Sequence, residues 1–151
     1  YWIYMVPQYR PQSVLMLGYA GGTVAGLIKL IWGDVPITAV DLSPREDEGR
    51  YDVNFIKGDA GEFVKTCPQY DVIIIDLFNN ETAQPPDFIT DPDFIADLAR
   101  VGNYLIINSL NTDMSNFGHL RNMGINRASG SEVSIYYFET KDKIPNLHPR
   151  K

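Results

Sequence analysis

The residues of this chain that could do chemistry stand at the ends of short apolar runs. Gly18-Tyr19-Ala20-Gly21-Gly22-Thr23 follows one such run and opens a helical stretch. Glycines there permit positive φ and let a ligand approach the backbone, while the free N–H groups of the first helical turn face it. Asp41 closes the next run, about 20 residues past Gly21, the separation at which a carboxylate accepts from ribose hydroxyls. Asp59, followed by Ala60, closes the third run. An acid there can accept from an adenine amino group while the neighbouring backbone N–H reads a ring nitrogen. Asp76 closes the fourth run and faces the same crevice. An aspartate at a strand end also serves as a turn or cap residue, and for Asp59 both roles stay open. Carboxylates at three successive run ends make a more coherent set than any one alone.

Several ligand classes are excluded. The glycine turn departs from the dinucleotide fingerprint G-x-G-x-x-G, with Ala20 at its second glycine and Thr23 at its third. No Gly-Lys-Ser/Thr occurs, so there is no phosphate-cradling P-loop. The expected ligand is a nucleoside without pyrophosphate. Thirteen Lys and Arg against 19 Asp and Glu give a net charge of −6 and a pI near 4.8. Without a basic run the chain is not expected to bind nucleic acid; a neutral or cationic small molecule suits it better. Cys67 is the only cysteine, and His119 and His148 have no ligand partner at useful spacing, so no metal is expected. No apolar run approaches the ~20 residues of a membrane span, and no signal peptide is visible. A cytoplasmic protein with one reduced thiol is expected.

Such sites need a scaffold that gathers the run ends. Short β-branched runs alternate with helical stretches, which predicts an α/β fold with a mostly parallel sheet. In such sheets ligands bind at the carboxyl ends of the strands, where the strand order reverses. The length of 151 residues and 44% hydrophobic content suit one domain. Strands are expected at residues 13–17, 36–40, 53–56, 70–75 and 104–108, with 70–75 central because its apolar run is unbroken. Helices are expected at 22–32, 61–66 and, capped by Thr90 or Asp91 with Pro92 in the first turn, up to about Val101. A further helix is expected at 114–122. Residues 125–128 and 132–140 read as a terminal pair of strands joined by a Ser-Gly-Ser turn at 129–131. The tail 141–151, with Pro145 and Pro149, reads as peripheral.

The segments Val14-Leu15-Met16-Leu17-Gly18-Tyr19-Ala20-Gly21-Gly22-Thr23, Thr38-Ala39-Val40-Asp41-Leu42-Ser43-Pro44, Gly58-Asp59-Ala60-Gly61-Glu62-Phe63-Val64 and Tyr70-Asp71-Val72-Ile73-Ile74-Ile75-Asp76 occur in that order. Together with Pro85-Pro86, Phe88-Ile89-Thr90 and Leu105-Ile106-Ile107-Asn108, they resemble the spermidine synthase-like branch of the S-adenosylmethionine-dependent methyltransferase superfamily. The resemblance covers residues 13–109. It implies a Rossmann-like class I methyltransferase fold: a seven-stranded, mostly parallel sheet with a terminal antiparallel hairpin. It also implies S-adenosylmethionine, or its decarboxylated form, lying across Gly18, Tyr19, Ala20, Gly21, Gly22, Asp41, Leu42, Asp59, Ala60 and Asp76. In true aminopropyltransferases the carboxylate matching Asp76 helps take the proton from the attacking amine of putrescine. An ammonium cannot attack carbon until it loses that proton. The electrophile is a sulfonium carbon, so the resemblance requires no metal.

Three features depart from full spermidine synthases. Their loop reads Asp-Ser-Ser-Asp-Pro, whereas here Asp76-Leu77-Phe78-Asn79-Asn80 puts Asn79 at the second acid. Their N-terminal β-domain has no counterpart in the twelve residues before the first strand. Residues 45–51 leave little room for the usual second helix. The expected function is therefore transfer of a methyl or aminopropyl group to a small nucleophile, with a polyamine as one acceptor. The alternatives are a true spermidine synthase and a non-catalytic nucleoside-binding subunit. The loop 77–90 reads equally as a lid or as plain surface; Pro85 and Pro86 stiffen it, and Glu81 and Asp87 read as solvated charges. Tyr19 either stacks near the nucleoside or packs on its loop. Trp2, Tyr4, Tyr9 and Trp32 read first as packing and second as a contact between two copies, which would make a homodimer.

Overall fold

The computed structural model describes residues 2–79, 81–127 and 133–140. Its strands are β1 (Val14–Leu17), β2 (Ile37–Asp41), β3 (Asn54–Lys57), β4 (Tyr70–Ile75), β5 (Gly102–Asn108), β6 (Arg121–Arg127) and β7 (Ser134–Glu139). Its helices are α1 (Thr23–Trp32), α2 (Ala60–Phe63) and α3 (Pro92–Val101). The strands form one seven-stranded sheet in the order β3-β2-β1-β4-β5-β7-β6. The first five are parallel, β7 runs antiparallel between β5 and β6, and this is the sheet that the resemblance implies.

Local chemistry explains the elements. All four residues of β1 and the last four of β4 are buried, so these strands carry unbroken apolar runs and occupy the sheet centre. The two faces divide by the period of two: Leu15, Leu17, Ile73 and Ile75 pack towards α2 and α3, and Val14, Met16 and Ile74 towards α1 and Met5. Helix α3 starts where Asp91 accepts the N–H of Asp93 and Pro92 takes the first turn. It buries Phe94, Ile95, Leu98 and Val101, each worth roughly 1.5–3 kcal/mol when removed from water. Helix α1 ends at Gly33, whose φ of 82° favours glycine.

Register brings the run ends together. Leu17 pairs with Val40 on one side and with Ile75 on the other. Gly18 therefore leaves the sheet between Asp41 and Asp76, where the chain reverses its winding direction. Asp41 pairs with Lys57, which puts Asp59 just beyond the next strand end.

Two expectations change. The helix expected at 114–122 is a single 3-10 turn, Ser115–Phe117. Met114, Phe117 and Leu120 are buried three residues apart, and Phe117 and Leu120 each bond the carbonyl three residues back. That is the period of a 3-10 turn rather than of an α-helix. Strand β6 accordingly begins at Arg121 instead of 125. Residues 42–53 form no helix, as their shortness predicts. The turn at 129–131 and the tail 141–151, with His148, lie outside the described residues. Among the described residues no helix is long and apolar enough to cross a membrane.

Candidate functional site

At the carboxyl ends of β1, β2 and β4 a crevice of about 620 Å³ opens, a size typical of small-molecule sites. Gly18, Ala20, Asp41, Leu42, Asp59, Ala60 and Asp76 line it. Gly18 has a φ of 92°, and a Cβ built on it would lie 2.2 Å from the Asp76 carbonyl oxygen. Only glycine satisfies both conditions. Ala20 also holds a positive φ, 49°, in the same turn.

Asp41 is the hub of the turn. Its Oδ2 accepts the N–H of Tyr19 at 2.8 Å and of Ala20 at 3.3 Å, and its Oδ1 accepts the N–H of Ser43 at 2.9 Å. Oδ1 keeps a lone pair for a ligand hydroxyl. Asp59 takes the capping role left open by its position. Its Oδ1 caps α2 through the N–H groups of Gly61 and Glu62, and no described residue bonds its Oδ2. Helix α1 begins at Gly22 with no side-chain cap, which leaves first-turn N–H groups for a ligand or water.

Tyr19, Gly21 and Gly22 do not reach the crevice wall. The Tyr19 ring is 3% exposed and turns away from the crevice, edge-on to Phe55 at 5.5 Å with the Arg45 guanidinium above it. Its hydroxyl donates to Asp47, and a Cβ on Gly22 would collide with that hydroxyl at 2.8 Å. Tyr19 thus packs on its loop rather than stacking on a nucleoside, and only its backbone N–H serves the site. Gly21 is exposed with nothing near its Cβ direction.

Behind the turn sits a cluster that no motif announces. Arg45 bonds Asp47 through Nε and Nη2 and reaches the carbonyls of Tyr51 and Val53. The Arg45 hydrogen bond holds the Asp47 carboxyl down at about 2, although burial opposes it. Burial, then the Asp47 hydrogen bond and charge, push the Tyr19 phenol well above its usual range. These ties pin residues 42–53 in the place of the missing helix.

On the other side, Asn108 donates its amide to Asp76 Oδ1 at 3.1 Å. Leu77, Phe78, Asn79, Glu81, Pro86 and Phe88 complete that wall. Phe88 packs edge-on against Phe94 at 5.0 Å, and its ring lies near Gly61. Asn79 accepts the N–H of Glu81 within the loop. Glu81 reaches the crevice and Asp87 does not. Five acids (Asp41, Glu46, Asp59, Asp76 and Glu81) line the space, with no Lys, Arg or His among the lining residues. The crevice therefore favours a cation and repels phosphate.

Sequence reasoning missed Ser43, Glu46, Phe88 and Asn108 as site residues. Position relative to Asp41 could have found the first two; Phe88 and Asn108 arrive from other elements. A larger cavity of about 720 Å³, lined by Tyr9, Tyr104 and Tyr137, lies at the opposite ends of the strands and contains none of the expected residues. Cys67 is half-buried, and burial raises its thiol pKa, the opposite of an activated nucleophile. Among the described residues no three potential metal ligands come together.

No protein-family profile and no curated protein matches this sequence. Solved structures do. Human methyltransferase-like protein 13 in complex with SAH superposes with a TM-score of 0.73 at 16% identity, covering 99% of this chain and 82% of that one. The Burkholderia thailandensis 1,6-didemethyltoxoflavin-N1-methyltransferase, with bound 1,6-didemethyltoxoflavin and S-adenosylhomocysteine, gives 0.65 at 15% identity over 88% and 72%. A TehB-like SAM-dependent methyltransferase from Corynebacterium glutamicum gives 0.64 at 16% over 91% and 83%. The chain has the class I methyltransferase fold.

Proposed function

We propose that the crevice binds S-adenosylmethionine and that the chain transfers an alkyl group from it to a small nucleophile. The observation that carries this reading is the convergence of the Gly18–Ala20 turn, Asp41, Asp59 and Asp76 on one acid-lined crevice. The residues present suit such a ligand. Asp41 would hold the ribose through Oδ1, and Asp59 the adenine amino group through Oδ2. Leu42, 70% exposed, and Phe88 offer apolar surfaces on either side for the purine. When bound, the sulfonium would supply an activated carbon and leave as a neutral thioether.

Asp76 would hold a cationic acceptor and take its proton, freeing the acceptor's lone pair for the activated carbon that the sulfonium would supply; the proton would stay on the carboxylate or pass to water. A second reading is aminopropyl transfer to a diamine, favoured by the five acids of the wall. Asn79 at the place of the second family acid counts against it. Calorimetric titration of S-adenosylmethionine, decarboxylated S-adenosylmethionine and NAD into the protein tests all of this. The expected result is heat from a sulfonium and none from NAD, with the preferred sulfonium choosing between methyl and aminopropyl transfer. No heat from either sulfonium overturns both readings and leaves the fold as a non-catalytic subunit.

A further inference from the structure

Asn108 ends β5, beside Asp76 at the end of β4, and is wholly buried at 0% exposure. Its two amide atoms have separate tasks. Oδ1 accepts the N–H of Leu110 at 3.2 Å, a group that can only donate. The amide is therefore fixed with its NH2 towards Asp76, whose Oδ1 it meets at 3.1 Å. Leu110 adopts a φ of 44°, a conformation unfavourable for a leucine, and this conformation accompanies the turn that brings its N–H to Asn108. The turn is closed by the N–H of Thr112 on the Ser109 carbonyl at 2.9 Å. Ser109, also buried, is bonded to the Leu110 and Ser134 carbonyls and takes no part in the contact with Asp76.

The ionisable neighbours that share the crevice wall with Asp76 are Asp41 from β2, Glu46 from the segment after it, Asp59 before α2, and Glu81 from its own loop. All are acids, and like charges favour a protonated carboxyl. A buried amide donating to Asp76 opposes them. We infer that Asn108 is a positioning residue: it orients Asp76 and holds it as the carboxylate that the proposed transfer requires. This rests on the function proposed above, but its test does not.

The Asp76 carboxyl is followed by carbon-detected NMR during a pH titration of the full chain without ligand. In Asn108→Ala the midpoint is expected about one pH unit higher than in the wild type, as for loss of a donor to a carboxylate. Ser109→Ala, which alters the same turn without touching Asp76, leaves the midpoint in place. If Asn108→Ala does not fold, Asn108→Val fills much of the same space without a donor, and the same rise in midpoint is expected. An unchanged Asp76 midpoint in the folded variant overturns the assignment, as does an equal rise in Ser109→Ala. Failure of S-adenosylmethionine to bind the wild type would sink the proposed function and leave this result standing.

Discussion

Residues 42–53 and 77–91 both leave a strand at the crevice, yet they are held in different ways. The first lacks a helix and is tied by Asp47, whose side chain is 3% exposed, to Arg45 and the Tyr19 hydroxyl. The second is held mainly by bonds within itself. Asn79 receives the N–H groups of Glu81 and Ala83 and donates its own to the Gln84 carbonyl, while residues 81–84 are exposed. A buried charge cluster has one low-energy geometry, whereas an exposed turn held by its own bonds has several. The rim at 42–53 is built before any ligand arrives, and the rim at 77–91 is left for a ligand to shape.

Removing Asp47 should do most to erase this difference. Asp47→Ala takes the counter-charge from Arg45, which keeps the Tyr51 and Val53 carbonyls, and the acceptor from the Tyr19 hydroxyl, and is expected to cost about 2–3 kcal/mol in urea unfolding. Asp76→Asn should leave stability near wild type and, under the proposed function, lower turnover by about a hundredfold. A tenfold loss or less would show that Asp76 is not the base.

Acid should attack the built rim selectively. The Asp47 carboxyl sits at about 2 in the fold against an ordinary 3.8, so its stabilisation is complete above pH 4. It is lost as pH falls from about 4 to 2. Thermal melts across that window should drop less steeply in Asp47→Asn. Tyr19→Phe, which removes one bond to the same carboxylate, is expected to cost about 1–2 kcal/mol. The smallest effect belongs to the free rim. Glu81→Gln should change stability by less than about 0.5 kcal/mol, yet narrow any preference for the cationic sulfonium over its neutral thioether product.

The parts of the fold legible in the sequence are those set by local pattern. The apolar runs of β1 and β4, the Asp91-Pro92 helix start and the glycine turn each announce themselves within a few residues. The strand-end acids follow from the same pattern, because a parallel sheet aligns its carboxyl ends. What stayed hidden depends on long-range pairing. Tyr19 meets Asp47 across 28 residues and Asn108 meets Asp76 across 32, and no spacing rule joins them. The segment 114–122 differs for another reason: its buried Met114, Phe117 and Leu120 recur every three residues, the period of a 3-10 turn rather than of an α-helix.

Gly18 carries a mechanical consequence. With no room for a single carbon between it and the Asp76 backbone, β1 and β4 leave the sheet as one strut. The turn that would grip the nucleoside and the acid that would serve the acceptor stand at a fixed separation, and no hinge lies between them. All breathing of the mouth then falls to the rims. The backbone amides of Gly18 and Asp76, bonded to Val40 and Leu17, should show no exchange in relaxation-dispersion NMR, while those of 81–84 record the motion.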